Sequence, residues 1–126
     1  NIGCVCVPQP INIKFKENIG NIHIKDEVAI TLYRVIQEAF NNIVKHAKAK
    51  NVKIDLLIKA GEINLAIEDD GMGFDAEAFF REANVDKLGL RGMRERVDLL
   101  NGKFLLQSGS KNGTKISVTF PIIEEV

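Results

Sequence analysis

Between Val52 and Ile67 the chain alternates apolar and polar residues twice, with a break between the two runs. Val52, Ile54, Leu56 and Ile58 share one parity, and Ile63, Leu65 and Ile67 share the other. A period of two places each set on one face of an extended strand. Two such runs joined by a short break at Gly61-Glu62 read as a β-hairpin. A lone hairpin with one apolar face is not stable in water, so the rest of the chain has to cover it. Ile11, Ile13 and Phe15 alternate with Asn12, Lys14 and Lys16 as a further strand, and a Gly20-Asn21 break leads on to Ile22-His23-Ile24. Phe104, Leu106 and Ser108 form another strand, a turn spans 109–113, and Ile116, Val118 and Phe120 form the last, closed by Pro121. A helix is expected from an N-cap at Asp26 to about Ala49, with Val28, Leu32, Val35, Ile36, Ala39, Phe40 and Ile43 as its apolar stripe. A second helix opens near Leu90, buries Leu90, Met93, Val97 and Leu100, and ends at Gly102. Two helices against a four- or five-stranded sheet give an α/β two-layer sandwich with a mixed, mainly antiparallel sheet.

The 126 residues and 45% hydrophobic content suit one domain over 11–126, preceded by a linker or extraneous segment over 1–10 that ends in Pro8-Gln9-Pro10. Seventeen basic residues balance seventeen acidic ones, which gives no general attraction to nucleic acid or to an anionic membrane. The lysines between Lys45 and Lys53 read as a solvated helix end. No segment approaches the ~18 apolar residues of a membrane span. Cys4 and Cys6 cannot complete a tetrahedral zinc site and lie too close to staple a useful loop, so they read as reduced thiols of a cytoplasmic domain. Residues 74–88 lose periodicity and read as a mobile loop.

Four clusters bear on chemistry. The first is Glu68-Asp69-Asp70-Gly71-Met72-Gly73-Phe74. Asp69 shares the parity of Ile63, Leu65 and Ile67, so it points into the apolar layer, while Glu68 and Asp70 point to water. A carboxylate in that layer is costly unless something donates to it. Either backbone N–H groups at the turn do so, or the acid awaits a ligand's N–H, and Gly71 and Gly73 allow a flat ligand to approach the backbone. The second is Glu38, Asn42 and Lys45 at i, i+4, i+7 on one helix face, flanked by His46. It is an ordinary polar face or a set in which the Asn42 amide oxygen serves Mg²⁺. The third, Gly89-Leu90-Arg91-Gly92-Met93, is a helix boundary or a phosphate-binding helix start. The fourth, Gly109 to Thr114, is by itself a hairpin turn.

Taken in this order the clusters resemble a known family. Gln37 to Ala47 resembles the N box of the histidine-kinase ATP-binding domain. Asp69 to Phe74 resembles the first glycine box of the superfamily shared with gyrase, Hsp90 and MutL. Gly89 to Val97 resembles the second glycine box, and Gly109 to Pro121 the last glycine-and-threonine strand pair. The likeness covers about residues 11–122 and is strongest to sensor kinases paired with helix-turn-helix response regulators. It implies a Bergerat-type ATP-binding fold with ATP and Mg²⁺ as cofactors. It implies that Asp69 accepts from the adenine amino group, with Thr114 bonding beside it, and that Gly71 and Gly73 give the base room. Asn42 would hold Mg²⁺ on the phosphates, and Glu38 would be the acid–base or metal-shell residue. Lys45 and His46 would lie near the phosphates, with Gly89, Arg91 and Gly92 wrapping them. This chain departs from the family at Asp70, where Asn is common, and in a second glycine box shorter than that of the larger kinases.

The phosphoacceptor histidine of such a kinase sits on a separate helical hairpin. His23 and His46 are the only histidines, and neither has that context. The resemblance therefore implies a catalytic fragment of a homodimeric parent, acting on upstream dimerisation and phosphoacceptor helices, with a response regulator downstream. A serine kinase of the anti-sigma type and a nucleotide-sensing module without transfer are the alternatives.

Overall fold

The computed structural model describes residues 11–43, 49–71, 90–108 and 113–122. In chain order the elements are β1 (Asn12–Glu17), α1 (Asp26–Asn42), β2 (Asn51–Lys59), β3 (Glu62–Asp69), α2 (Leu90–Leu99), β4 (Lys103–Ser108) and β5 (Thr114–Pro121). The strands form one sheet in the order β1-β2-β3-β5-β4. β1 runs parallel to β2, and every other pair is antiparallel. The expected two-layer sandwich with a mixed sheet is therefore the fold.

Register explains where the core sits. Leu56, Leu65, Val118 and Phe104 align across four strands, as do Ile54, Ile67, Ile116 and Leu106. These rows share a core with Leu32, Val35 and Ala39 of α1 and Met93 and Val97 of α2. Val97, Val118 and Phe120 are completely buried. Fully burying side chains of this size stabilises by about 1.5–3 kcal/mol each, which makes this seam the main support of the sheet. β1 is different. Ile13 and Phe15 lie beside Val52 and Ile54 but stay 46% and 61% exposed at the sheet edge.

Several boundaries differ from the sequence-based expectation. Asp26 is the first helical residue, and the N-cap is Lys25, which makes no side-chain capping bond. Asp26 and Glu27 instead place negative charge in the first turn, where the helix dipole favours it. The helix was expected to reach about Ala49; its element ends at Asn42, Ile43 still donates to Ala39 and Phe40, and Ala49 is not helical. The hairpin turns at Ala60-Gly61, one residue earlier than expected, with φ of 55° and 75°. Two positive φ values match the twist of a two-residue hairpin. At the end of α2 the left-handed residue is Asn101 (φ 63°), not Gly102. Gly102 is needed for space: a Cβ there would lie 2.6 Å from the Phe120 ring and 2.8 Å from the Thr119 carbonyl oxygen. The linker over 1–10 and the loop over 74–88 lie outside the described residues.

Candidate functional site

β3 carries Ile63, Leu65 and Ile67 on its core face, and Asp69 completes that row, 5% exposed. The strand continues without a bulge, so parity holds to its last residue. Asp69 lies between Val52 of β2 and Thr114 of β5, with Ser108 of β4 beyond Thr114. Its Oδ1 accepts the Gly71 N–H at 2.7 Å. Its Oδ2 is buried and has no hydrogen-bond partner among the described residues. The two oxygens differ: one accepts from the turn, and the other has no donor among the described residues. Burial raises its pKa above the ordinary 3.8, and the charges of Asp70 and Glu68 add to that. The Gly71 and Thr114 N–H groups oppose the rise. An unsatisfied buried acceptor costs about 1–3 kcal/mol, so the fold carries a penalty at this atom.

Gly113 was not singled out by the sequence, where it was one of several glycines in a turn. Its φ is 74°, and a Cβ there would run into the Asp69 backbone carbonyl. Only glycine lets β5 begin this close to Asp69.

Asp70 faces the other way, and parity alone left it in water. It is exposed but strongly bonded. Its Oδ1 accepts the N–H groups of Lys50 and Asn51, both at 2.9 Å, and its Oδ2 accepts from Asn51 Nδ2 at 2.8 Å. The Asn51 bonds, with help from Lys50, draw its pKa down to about 2. The signal in sequence was weak, because the partners sit some twenty residues earlier at the entrance to β2.

On α1, Glu38 is exposed and Asn42 half-buried, one helical turn apart. Glu38 and Gly92 line one groove of about 260 Å³ between α1 and α2, together with Thr31, Arg34, Met93 and Arg96. A Cβ added at Gly92 would meet none of the described residues within 4 Å. Arg91, half-buried, lies in the first turn of α2. The structure therefore joins Asp69, Gly71 and Thr114 in one cluster, and Glu38 and Gly92 in another. Lys45, His46, Gly73 and Gly89 lie outside the described residues. A larger cavity, about 940 Å³, opens between Val28, Ile63, Leu100 and Ile122, and none of the expected site residues lines it. Among the described residues no group of three His, Cys, Asp or Glu side chains could hold a metal ion by itself. No helix among them is long and apolar enough to cross a membrane.

One detail fits the amino group of a bound base. The buried Oδ2 of Asp69 is an acceptor with no donor among the described residues.

Comparison with known proteins bears on family and fold. The chain is 34% identical over 115 residues to the signal transduction histidine-protein kinase/phosphatase DegS of Brevibacillus brevis, covering 91% of this chain and 29% of that protein. It is 33% identical over 117 residues to the sensor histidine kinase LiaS of Bacillus subtilis, covering 93% and 31%. The chain thus spans under a third of these relatives' lengths. Among solved structures, the Erythrobacter litoralis EL346 blue-light activated histidine kinase matches with a TM-score of 0.73 at 22% identity, over 90% of this chain and 36% of that one. Acinetobacter baumannii histidine kinase AdeS matches with a TM-score of 0.70 at 15% identity, over 90% and 55%. These two likenesses show the fold. The family model for the histidine kinase-, DNA gyrase B- and HSP90-like ATPases matches residues 27–124, most of the chain, and the chain belongs to that family.

Proposed function

We propose that this domain binds Mg·ATP and serves as the catalytic half of a two-component sensor histidine kinase. The observation that carries the proposal is the buried Oδ2 of Asp69, without a partner among the described residues, at the end of a core-facing row. An acceptor-only group at that position suits the exocyclic amino group of adenine and rejects guanine, which offers a carbonyl oxygen there. ATP supplies the γ-phosphoryl group, and Mg²⁺ neutralises charge on the phosphates. The chain's own residues hold and orient. Asn42 offers a neutral oxygen to Mg²⁺, an ion that takes much of its shell from phosphate and water. Glu38 is placed one turn away for proton transfer or metal-shell support. Gly71 and Gly73 admit the base, Thr114 bonds beside it, and Gly89, Arg91 and Gly92 enclose the phosphates with Lys45 and His46. The acceptor is a histidine on upstream dimerisation helices of a homodimeric parent, and a response regulator acts downstream. The domain works in the cytoplasm without nucleic-acid or membrane contact, whether or not the parent is membrane-anchored.

His23 is exposed in the segment between β1 and α1, and His46 belongs to the N box, so neither is an acceptor. Given γ-labelled ATP, the chain is expected to bind it and not label itself. Addition of the upstream helical hairpin as a separate polypeptide is expected to give acid-labile phosphohistidine on the hairpin, slowly, because tethering normally supplies effective concentration. Glu38→Gln is expected to slow transfer more than it weakens binding. Asn42→Ala is expected to remove most of the Mg²⁺-dependent gain in affinity, read by titration with and without the ion. Self-labelling of the chain, acid-stable label on a partner serine, or binding with no transfer would overturn the proposal.

A further inference from the structure

Asp69 and Asp70 are neighbours with separate tasks, and the second bears on the first. The Gly71 N–H bonds to Asp69 Oδ1, closing an Asx turn whose middle residue is Asp70. That middle residue is fastened to the entrance of β2. Its carboxylate takes the Lys50 N–H, the Asn51 N–H and the Asn51 side-chain amide, and its own N–H donates to the Asn51 carbonyl at 3.2 Å. Asn51 Oδ1 is in turn bonded by Asn12 Nδ2 at 3.3 Å, at the start of β1. Asp70 therefore ties three strand ends together around the turn that aims the open Oδ2 of Asp69. Residues 50 and 51 are also where the chain arriving from α1 enters the sheet.

We propose that Asp70 is a positioning residue for base recognition: its bonds to Lys50 and Asn51 fix the turn that holds the Asp69 carboxylate in its nucleotide-reading orientation. The inference rests on the nucleotide-binding reading above. Asp70 itself touches no base, because its side chain lies on the opposite parity from Asp69. Loss of the brace frees the turn, and Asp69 then takes up several orientations, of which one accepts from adenine. The consequence is weaker discrimination between bases, not only weaker binding or a less stable domain. Asn at this position keeps a carbonyl oxygen that accepts both backbone N–H groups, and its amide is accommodated by rotation of the Asn51 amide, with the Asn12 amide turning as well to present its oxygen.

The test is to titrate Mg·ATP and Mg·GTP into the 126-residue chain and its variants, below the melting transition, with circular dichroism to confirm folding. Asp70→Ala is expected to lower ATP affinity about tenfold and to reduce the ATP-over-GTP preference by a similar factor, the scale of one lost net interaction of about 1.4 kcal/mol. Asp70→Asn is expected to stay within about threefold of the wild type on both counts, a rescue by the conservative variant, consistent with retention of most of the bonds. If Asp70→Ala does not fold, Asn51→Ala removes the side-chain arm to Asp70 and the link to Asn12, keeps both backbone bonds, and is expected to lower the preference about twofold to threefold. An unchanged ATP-over-GTP preference in the folded variant, with only a lower melting temperature, would overturn the positioning role and leave the nucleotide site standing. Absence of ATP binding by the wild-type chain would overturn both.

Discussion

At one end of β3 the chain turns through Ala60 and Gly61, and the Gly61 carbonyl accepts the Ile122 N–H at 2.9 Å. Nearby, the Asn18 side chain accepts from the Ile58 N–H at 2.6 Å and bonds the same residue's carbonyl at 3.4 Å. At the other end, after the eight residues of β3, the chain leaves through Asp69, Asp70 and Gly71. There one carboxylate is fully engaged and the other keeps a buried oxygen without a donor among the described residues. The hairpin end uses its polar groups on itself, as a turn made only for stability does. The Asp69 end tolerates an unsatisfied acceptor beside a well-braced backbone, which is the arrangement expected where a ligand completes the bonding.

Glycine substitutions test this contrast most severely. Gly61 and Gly113 have the same left-handed φ, 75° and 74°, but Gly61 faces open space and Gly113 faces the Asp69 carbonyl. Gly113→Ala is expected to destabilise by about 3 kcal/mol or more, from backbone strain plus a clash that only strand separation relieves. Gly102→Ala, which adds no positive-φ strain but meets the Phe120 ring, is expected to cost about 2 kcal/mol. Gly61→Ala is expected to cost about 1 kcal/mol, the conformational penalty alone. Chemical denaturation of the three variants measures the order, and equal losses at Gly61 and Gly113 would erase the distinction between the two ends.

The smallest effect is in pH dependence, and its sign separates the two acids. The folded pKa of Asp70 is lowered to about 2, so its stabilisation is present above the ordinary 3.8 and is lost as pH falls through about 2. The folded pKa of Asp69 is raised, so its contribution is most favourable below 3.8 and declines as pH rises through the folded value. Relative to wild type, Asp70→Asn is therefore expected to lose its disadvantage as pH drops from about 4 to 2, while Asp69→Asn gains in relative stability as pH rises from about 3 toward neutrality. Thermal melts across that range check both, and slopes of the same sign would contradict the assigned environments.

Much of this contrast is legible in sequence, and the limits have physical causes. Period-two alternation identified all five strands, because one sheet face is buried and parity is then strict along β3 as far as Asp69. The stripe on α1 was legible for the same reason: Leu32, Val35, Ala39 and Ile43 do pack into the core. What alternation does not encode is which atoms meet across the sheet. The bonds from Lys50 and Asn51 to Asp70 join residues about twenty positions apart, and no local pattern marks them. Gly102 resembled a helix-ending glycine, yet Asn101 supplies the left-handed residue and Gly102 makes room for Phe120. The exposure of Ile13 and Phe15 was equally invisible, because an edge strand carries the same alternation as a covered one.

The central claim is that Asp69 Oδ2 is an acceptor held open for the adenine amino group, and calorimetric titration of Mg·ATP into the wild-type chain and Asp69→Asn tests it most directly. Asparagine preserves the shape but places either an N–H where an acceptor is needed or an oxygen of reduced charge. The account predicts a loss of about 1.5–3 kcal/mol in binding free energy, the value of a charge-assisted hydrogen bond, with a melting temperature no lower than wild type. ATP affinity in Asp69→Asn within about twofold of wild type would contradict it, since that difference is only about 0.4 kcal/mol.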